Sequence, residues 1–182
     1  VTSSSTSPAS AMPGLARFNA ADGDVALALL REVCASAAWA REILARRPYP
    51  DAEALLGASD AAVAALGTGD LDEAVAGHPP IGRPAPGDPV SAREQRGMAG
   101  APAGLRAEML ELNLAYQEKF GHVFLICATD LTAEHLYDAI RNRMDNTPER
   151  EREIVRGELG RINRLRLARL AVHPVSEGAT RP

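Results

Sequence analysis

At 182 residues the chain has the size of one domain, able to bury a continuous core without disulfides or metals to hold it together. Apolar residues make up 46% but aromatics only 4%, and alanine and leucine dominate the apolar set, which favours helices over a sheet of β-branched residues and predicts a single all-α, bundle-like domain. A formal charge of -4 with no concentrated basic patch argues against nucleic acid as the main partner, and no apolar run approaches the roughly 18 residues that cross a bilayer.

Residues 1–13 are small, polar and proline-punctuated, a composition that predicts a disordered tail; the helical domain is expected over 14–172, with order established near Phe18 and Asn19, and 173–182 as a flexible C-terminal tail. Asp22 or Asp24 can cap a helix with Val25, Leu29, Val33 and Ala37 at helical spacing, its buried side extended by Trp39, Ile43 and Leu44 until Pro48 and Pro50 stop it. Short segments follow over Asp51–Leu56, Ser59–Leu66 and Asp70–Ala76, punctuated by Gly57, Gly67 and Gly69. Asp70 and Glu73 have capping-box spacing, and Gly77 is placed to end that helix, so His78 emerges just past a helix C-terminus.

His78 to Gln95 is the irregular, proline- and glycine-rich stretch of an otherwise helical chain, and it gathers an imidazole, a hydroxyl (Ser91), a carboxylate (Glu94) and an amide (Gln95). Functional side chains concentrate on such loops, which makes it the first candidate for an active site. Ser91 and Glu94 also have the spacing of a capping box, so a helix is expected to start at Ser91. By residue type alone His78 reads more readily as a histidine at the negative end of a helix, and Glu94 equally well as a cap partner.

A longer helix is predicted over Ala103–Phe120, with Leu105, Met109, Leu112, Tyr116 and Phe120 on one stripe and Gly121 at its end. The apolar run Val123–Ala128 could pass for a strand but has no partner elsewhere in the sequence, so buried extended chain between helices is expected. Thr132 caps a helix carrying Leu136, Ile140 and Arg143, and Thr147-Pro148 opens a last helix running to about Ala171. On that helix Val155, Leu159, Ile162 and Leu170 share a face with Arg166 in its middle. A guanidinium aimed into an apolar face needs an anionic or hydrogen-bonding partner, which a substrate, an acidic core residue or a dimer interface could supply. Cys34 and Cys127 lack the spacing of a disulfide or zinc motif and are expected as buried thiols. With no basic start or apolar middle of a signal peptide in Val1–Ser10, they predict a cytoplasmic protein.

Taken together, Phe18-Asn19, Trp39 followed by Arg47-Pro48-Tyr49, His78-Pro79-Pro80-Ile81-Gly82, Ser91 with Glu94-Gln95, Leu112-Asn113 with Tyr116 and Lys119-Phe120-Gly121, Phe124–Ala128, Arg143 with Asn146, and Ile162 through Leu167 form an ordered set. In this order they resemble the 2-oxo-4-hydroxy-4-carboxy-5-ureidoimidazoline (OHCU) decarboxylases, which finish the conversion of urate to (S)-allantoin. The resemblance implies an all-α domain that commonly dimerises and a cofactor-free, metal-free carboxy-lyase. It makes His78 similar to the family's catalytic proton donor, with Glu94 as its catalytic neighbour. Pro79, Ser91, Glu94, Gln95 and Arg166 match substrate-contacting positions, and Phe124, Leu125, Ile126, Cys127 and Ala128 resemble the wall whose backbone meets the substrate ring. The chain departs from the family pattern at Arg96-Gly97-Met98 and in the small residues around Ala62 and Val63. Two other classes stand beside this reading: another small-molecule lyase or hydrolase on the same scaffold, and a non-catalytic helical interaction module.

Overall fold

The computed structural model describes residues 12–173, and among these every regular element is a helix, with no strand. In order the elements are α1 (Pro13–Ala20), α2 (Gly23–Val33), α3 (Ala37–Ala45), α4 (Ala52–Ala65), α5 (Thr68–Ala76), α6 (Pro89–Glu94), a single 3-10 turn at Arg96–Met98, α7 (Ala103–Phe120), α8 (Ala133–Arg143) and α9 (Pro148–Val172). The tails expected over 1–13 and 173–182 fall outside the described residues except at their inner ends: Pro13 is already the first residue of α1, and His173 follows the last turn of α9.

α9 is the axis on which the rest is assembled, packing on α4 and α1 and touching α2 and α5. Its inner face contributes Val155, Leu159, Ile162 and Leu167 to a first core, filled from the other side by Phe18, Leu30, Trp39, Ile43, Leu55 and Leu71. A second core lies between α7 and α8, built on Met109, Tyr116, Leu136 and Ile140, with Ile81 and Met98 from the intervening loops. The segment Val123–Ala128 runs between the two. Val123, Leu125 and Cys127 pack on the first core, whereas Phe124, Ile126 and Ala128 pack on the second. This alternation has the period of an extended chain, so the apolar run is buried extended backbone shared by both cores rather than a paired strand.

Several sequence motifs act as fasteners between these parts. The Asn19 side chain holds both backbone groups of Tyr49, accepting from its N–H at 2.9 Å and donating to its C=O at 2.8 Å. The Trp39 indole N–H donates to Ser59 at 3.2 Å. Arg143 and Glu151 form a buried ion pair that also binds the Tyr116 hydroxyl, and Asn146 donates to Glu151 at 2.7 Å.

Local expectations fail where tertiary packing or a competing cap prevails. The helix expected from Val25 through Leu44 is broken at Cys34–Ser36, where Ser36 accepts from the Trp39 N–H and starts α3. The buried stripe of α2 is Ala26, Leu30 and Val33, while Val25 is 54% exposed. Gly57 does not interrupt α4, which runs unbroken from Ala52 to Ala65. Asp70 and Glu73 form no capping box: the cap position of α5 is Gly67, and Glu73 instead accepts from the Ala37 N–H at 2.9 Å, tying α5 to α3. The α7 span, its Gly121 end with φ 79°, and the Thr132 and Thr147 caps match the sequence reading.

Candidate active site

The loop between α5 and α6 is fixed from three sides. At the end of α5, Gly77 sits where a Cβ would lie 2.6 Å from that of Ala35, so only glycine lets the chain pass the α2–α3 link. Beyond it, Gly82 adopts φ 83°, a conformation that favours glycine. Its N–H donates to the Gln95 side-chain oxygen at 2.8 Å, and the carbonyl of Ile81 accepts from Asn113 on α7 at 3.0 Å.

The start of α6 differs from the expected one. Asp88, not Ser91, caps the helix: its carboxylate accepts from the N–H groups of Val90 at 2.9 Å and Ser91 at 3.2 Å, with Pro89 in the favoured first position. Ser91 is therefore inside the helix and buried, and Glu94 has no capping duty. Ser91, Glu94 and Gln95, three and four residues apart, share the face of α6 that looks at α9 and the loop.

All eleven residues singled out from the sequence line one cleft of about 420 Å³, open mouth included, which Ile81, Thr129, Ile162 and Leu165 complete. The Arg166 guanidinium grips the Glu94 carboxylate in a side-on pair, Nε to Oε1 at 2.9 Å and Nη2 to Oε2 at 2.8 Å, and its Nη1 donates to the Val33 carbonyl at 2.9 Å. Arg169, one turn further along α9, reaches the same Glu94 Oε1 at 3.4 Å. The cation on the apolar face of α9 is thus matched by an anion from a helix 72 residues away. Arg169 was not singled out beforehand; its position three residues after Arg166 on the same helix was the available signal.

Glu94 is bound to arginine, so it does not orient the imidazole of His78. That task falls to the backbone: Nδ1 of His78 lies 3.0 Å from the carbonyl of Ala74. A carbonyl only accepts, so Nδ1 carries the proton and Nε2 carries the lone pair. Nε2 is sealed from solvent and has no hydrogen-bond partner among the described residues. Burial, and next the Arg166 cation, push the His78 pKa down from 6.5 to about 4, against the raising influence of the Ala74 carbonyl and Glu94. The free protein therefore holds a neutral imidazole, poised as an acceptor.

Cys34 is buried and Cys127 half-buried, both as free thiols, and burial pushes each thiol pKa up, away from nucleophilic use. Among the described residues no group of three His, Cys, Asp or Glu side chains is placed to hold a metal ion.

Residues 19–168 match the family model described as OHCU decarboxylase. The chain belongs to the OHCU decarboxylase family. It is 31% identical over 145 residues to a protein of Arabidopsis thaliana named uric acid degradation bifunctional protein TTL, a match covering 75% of this chain and 44% of that one. It is 37% identical over 73 residues to the 2-oxo-4-hydroxy-4-carboxy-5-ureidoimidazoline decarboxylase of Amia calva, covering 40% of this chain and 42% of that one. The matches thus span less than half the length of these curated relatives. Among solved structures, an OHCU decarboxylase crystallised in the presence of (S)-allantoin superposes with a TM-score of 0.72 at 25% identity, over 84% of this chain and all of that one. An (S)-allantoin synthase shares the fold, with a TM-score of 0.65 at 18% identity, over 86% of this chain and 53% of that one.

Proposed function

We propose that this chain decarboxylates OHCU to (S)-allantoin and CO2 in urate degradation, without cofactor or metal, and that His78 handles the proton. The observation that carries the reading is the buried, unpartnered Nε2 of His78 in a cleft whose other polar wall is the Glu94–Arg166 pair.

The substrate's carboxylate sits on a carbon that also bears a hydroxyl and neighbours an imine. Carbon dioxide leaves without its bonding electron pair, which moves into the imine, and one proton is taken up to balance the charge. No electron sink from outside the substrate is needed. What the protein must supply is a dry site, an anchor for the departing carboxylate and a proton delivered to one face.

The site has the means for each. A guanidinium has five N–H donors; Arg166 commits three of them, two to Glu94 and one to Val33. One N–H on each terminal nitrogen is left for a substrate oxygen. Glu94 Oε1 takes two arginine donors while Oε2 takes one, so Oε2 keeps a lone pair for the substrate hydroxyl. A bound carboxylate adds negative charge beside the imidazole and opposes the effect of Arg166, which raises the His78 pKa and loads Nε2 with the proton it then gives up. Pro79 and Ser91 shape the floor, and Gln95, whose oxygen is committed to Gly82, offers its NH2 group to the ureido or ring carbonyl.

The test is an assay with freshly generated urate-oxidation intermediate, following allantoin by chiral separation. The expected result is accelerated formation of the S enantiomer; equal rates and racemic product with and without protein remove the assignment. Chelators should leave the rate unchanged. The family resemblance extends the reading to a cytoplasmic homodimer, and sedimentation at the mass of one 19.3 kDa chain would remove the dimer.

A further inference from the structure

The extended wall Val123–Ala128 raises a question of backbone accounting. Buried N–H and C=O groups are nearly always paired, yet this segment has no neighbouring strand. Two side chains supply what a strand would. Arg143 on α8 donates from Nη1 to the Leu125 carbonyl at 2.8 Å, and Glu158 on α9 accepts from the Cys127 N–H at 3.0 Å. In extended chain the backbone groups of residues two apart point to the same edge. Leu125 and Cys127 are two apart, and both bonds therefore hold one edge. Ile126 presents its N–H and C=O to the other edge, and neither has a partner among the described residues. Phe124 through Thr129 line the cleft.

Glu158 lies on the same face of α9 as Ile162 and Arg166, four and eight residues on; those two line the cleft, and Glu158 holds the wall segment beside them. Its side chain is 12% exposed, and its second oxygen accepts from Arg161 at 2.8 Å.

We propose that Glu158 is a positioning residue for the reaction: through the Cys127 N–H it fixes the rotation of the wall that turns the Ile126 N–H and C=O toward the substrate. The paired donor and acceptor of Ile126 match the N–H and C=O of a ureido or cyclic amide edge, so the wall sets which way the ring lies against His78. With the wall free to rotate, the ring loses its orientation. Binding then weakens, and protons reach both faces of the carbon.

The inference rests on the OHCU reading, and the wild-type assay separates the two: absence of turnover there refutes the reading itself, whereas the variants test Glu158. Glu158→Gln keeps an oxygen to accept the Cys127 N–H and should have a KM within about twofold of wild type. Glu158→Leu removes the acceptor, and its KM should rise about tenfold, the effect of losing a hydrogen bond to a charged group, with a larger change in KM than in kcat. Enantiomeric excess, corrected for the reaction without protein, should fall in Glu158→Leu and be restored in Glu158→Gln. A role in stability alone would lower the Tm of Glu158→Leu while leaving KM and enantiomeric excess per folded molecule unchanged, and that outcome overturns the proposal. Equal KM increases in both variants also overturn it, since the carboxylate charge and not the bond would then be responsible. If Glu158→Leu does not fold, Glu158→Ser, which cannot reach Cys127, is read against Glu158→Gln in the same way.

Discussion

The sharpest consequence of the geometry concerns the ionisation of His78. In the folded protein its pKa is near 4 against an ordinary 6.5, so between these values the unfolded chain binds a proton that the folded chain refuses. The imidazole therefore imposes no penalty above about pH 6.5, and folding stability falls as the pH drops below that value. At pH 4 the penalty is about 3 kcal/mol, levelling off below it. The experiment compares chemical denaturation of wild type and His78→Asn across pH 3.5–8, since all other groups are common to both. Their stability difference should be flat above pH 6.5 and shift by about 3 kcal/mol against wild type at pH 4. Titration of the imidazole by NMR gives the midpoint directly. Because His78 gives up its proton in the proposed reaction, activity should fall as the pH rises through its pKa, near 4 for kcat/KM, which reports the free protein, and higher for kcat, which reports the substrate complex. A midpoint at or above 6.5 in the free protein would refute the argument that burial and Arg166 keep Nε2 unprotonated until substrate arrives.

Other substitutions probe other parts of the structure. Asp88→Ala removes the cap of α6 and should cost about 1 kcal/mol, seen as a Tm drop of about 2–4 °C; Ser91→Ala, whose hydroxyl contacts Asp88 but caps no backbone N–H, should lower Tm less, and the reverse order would restore Ser91 as the cap. Gly97→Ala places a Cβ 2.0 Å from the Leu131 carbonyl oxygen, backbone against backbone, and should cost about 3 kcal/mol in denaturant titration. Gly57→Ala, with open space around the new methyl in the middle of α4, should instead stabilise by about 0.5–1 kcal/mol. Glu151→Ala strands the Arg143 guanidinium in the second core and should cost about 3–5 kcal/mol, with the stability curve rather than the pH profile recording the loss.

The parts of the fold legible in the sequence were those whose signals are local. The α7 span, the Gly121 terminus and the Thr132 and Thr147 caps each depend on residues within one turn of the feature they mark. The differences arose where another partner, distant or a few residues away, outcompeted the motif. Glu73 has the right spacing from Asp70 for a capping box, but the Ala37 N–H at the start of α3 takes its carboxylate. Ser91 has a cap's residue type, but Asp88 lies before a proline already set to the helical φ and binds two N–H groups. In α2 the apolar stripe is wide enough to permit two phases, and packing against α3 and α9 selects Ala26, Leu30 and Val33 over Val25 and Leu29.

The chemistry of the cleft was less legible than its membership, because roles depend on pairings and pairings are long-range. Sequence places an arginine on an apolar face and a glutamate near a histidine; it does not say that these two charges meet across 72 residues and leave the histidine to a carbonyl. That exchange of partners changes the proposed mechanism. A Glu94 bonded to His78 would raise the imidazole pKa and keep a proton ready on the free enzyme. Bonded instead to Arg166 and Arg169, Glu94 is paired with two cations, Arg166 acts against imidazole protonation, and the lone pair of Nε2 is left buried without a partner among the described residues. In the proposed reaction the anionic substrate then becomes the group that charges its own acid, so proton transfer is coupled to carboxylate binding. Neutral ligands of the same shape should bind without raising the His78 pKa, whereas carboxylates should raise it, and NMR titration of the imidazole with each class distinguishes the two.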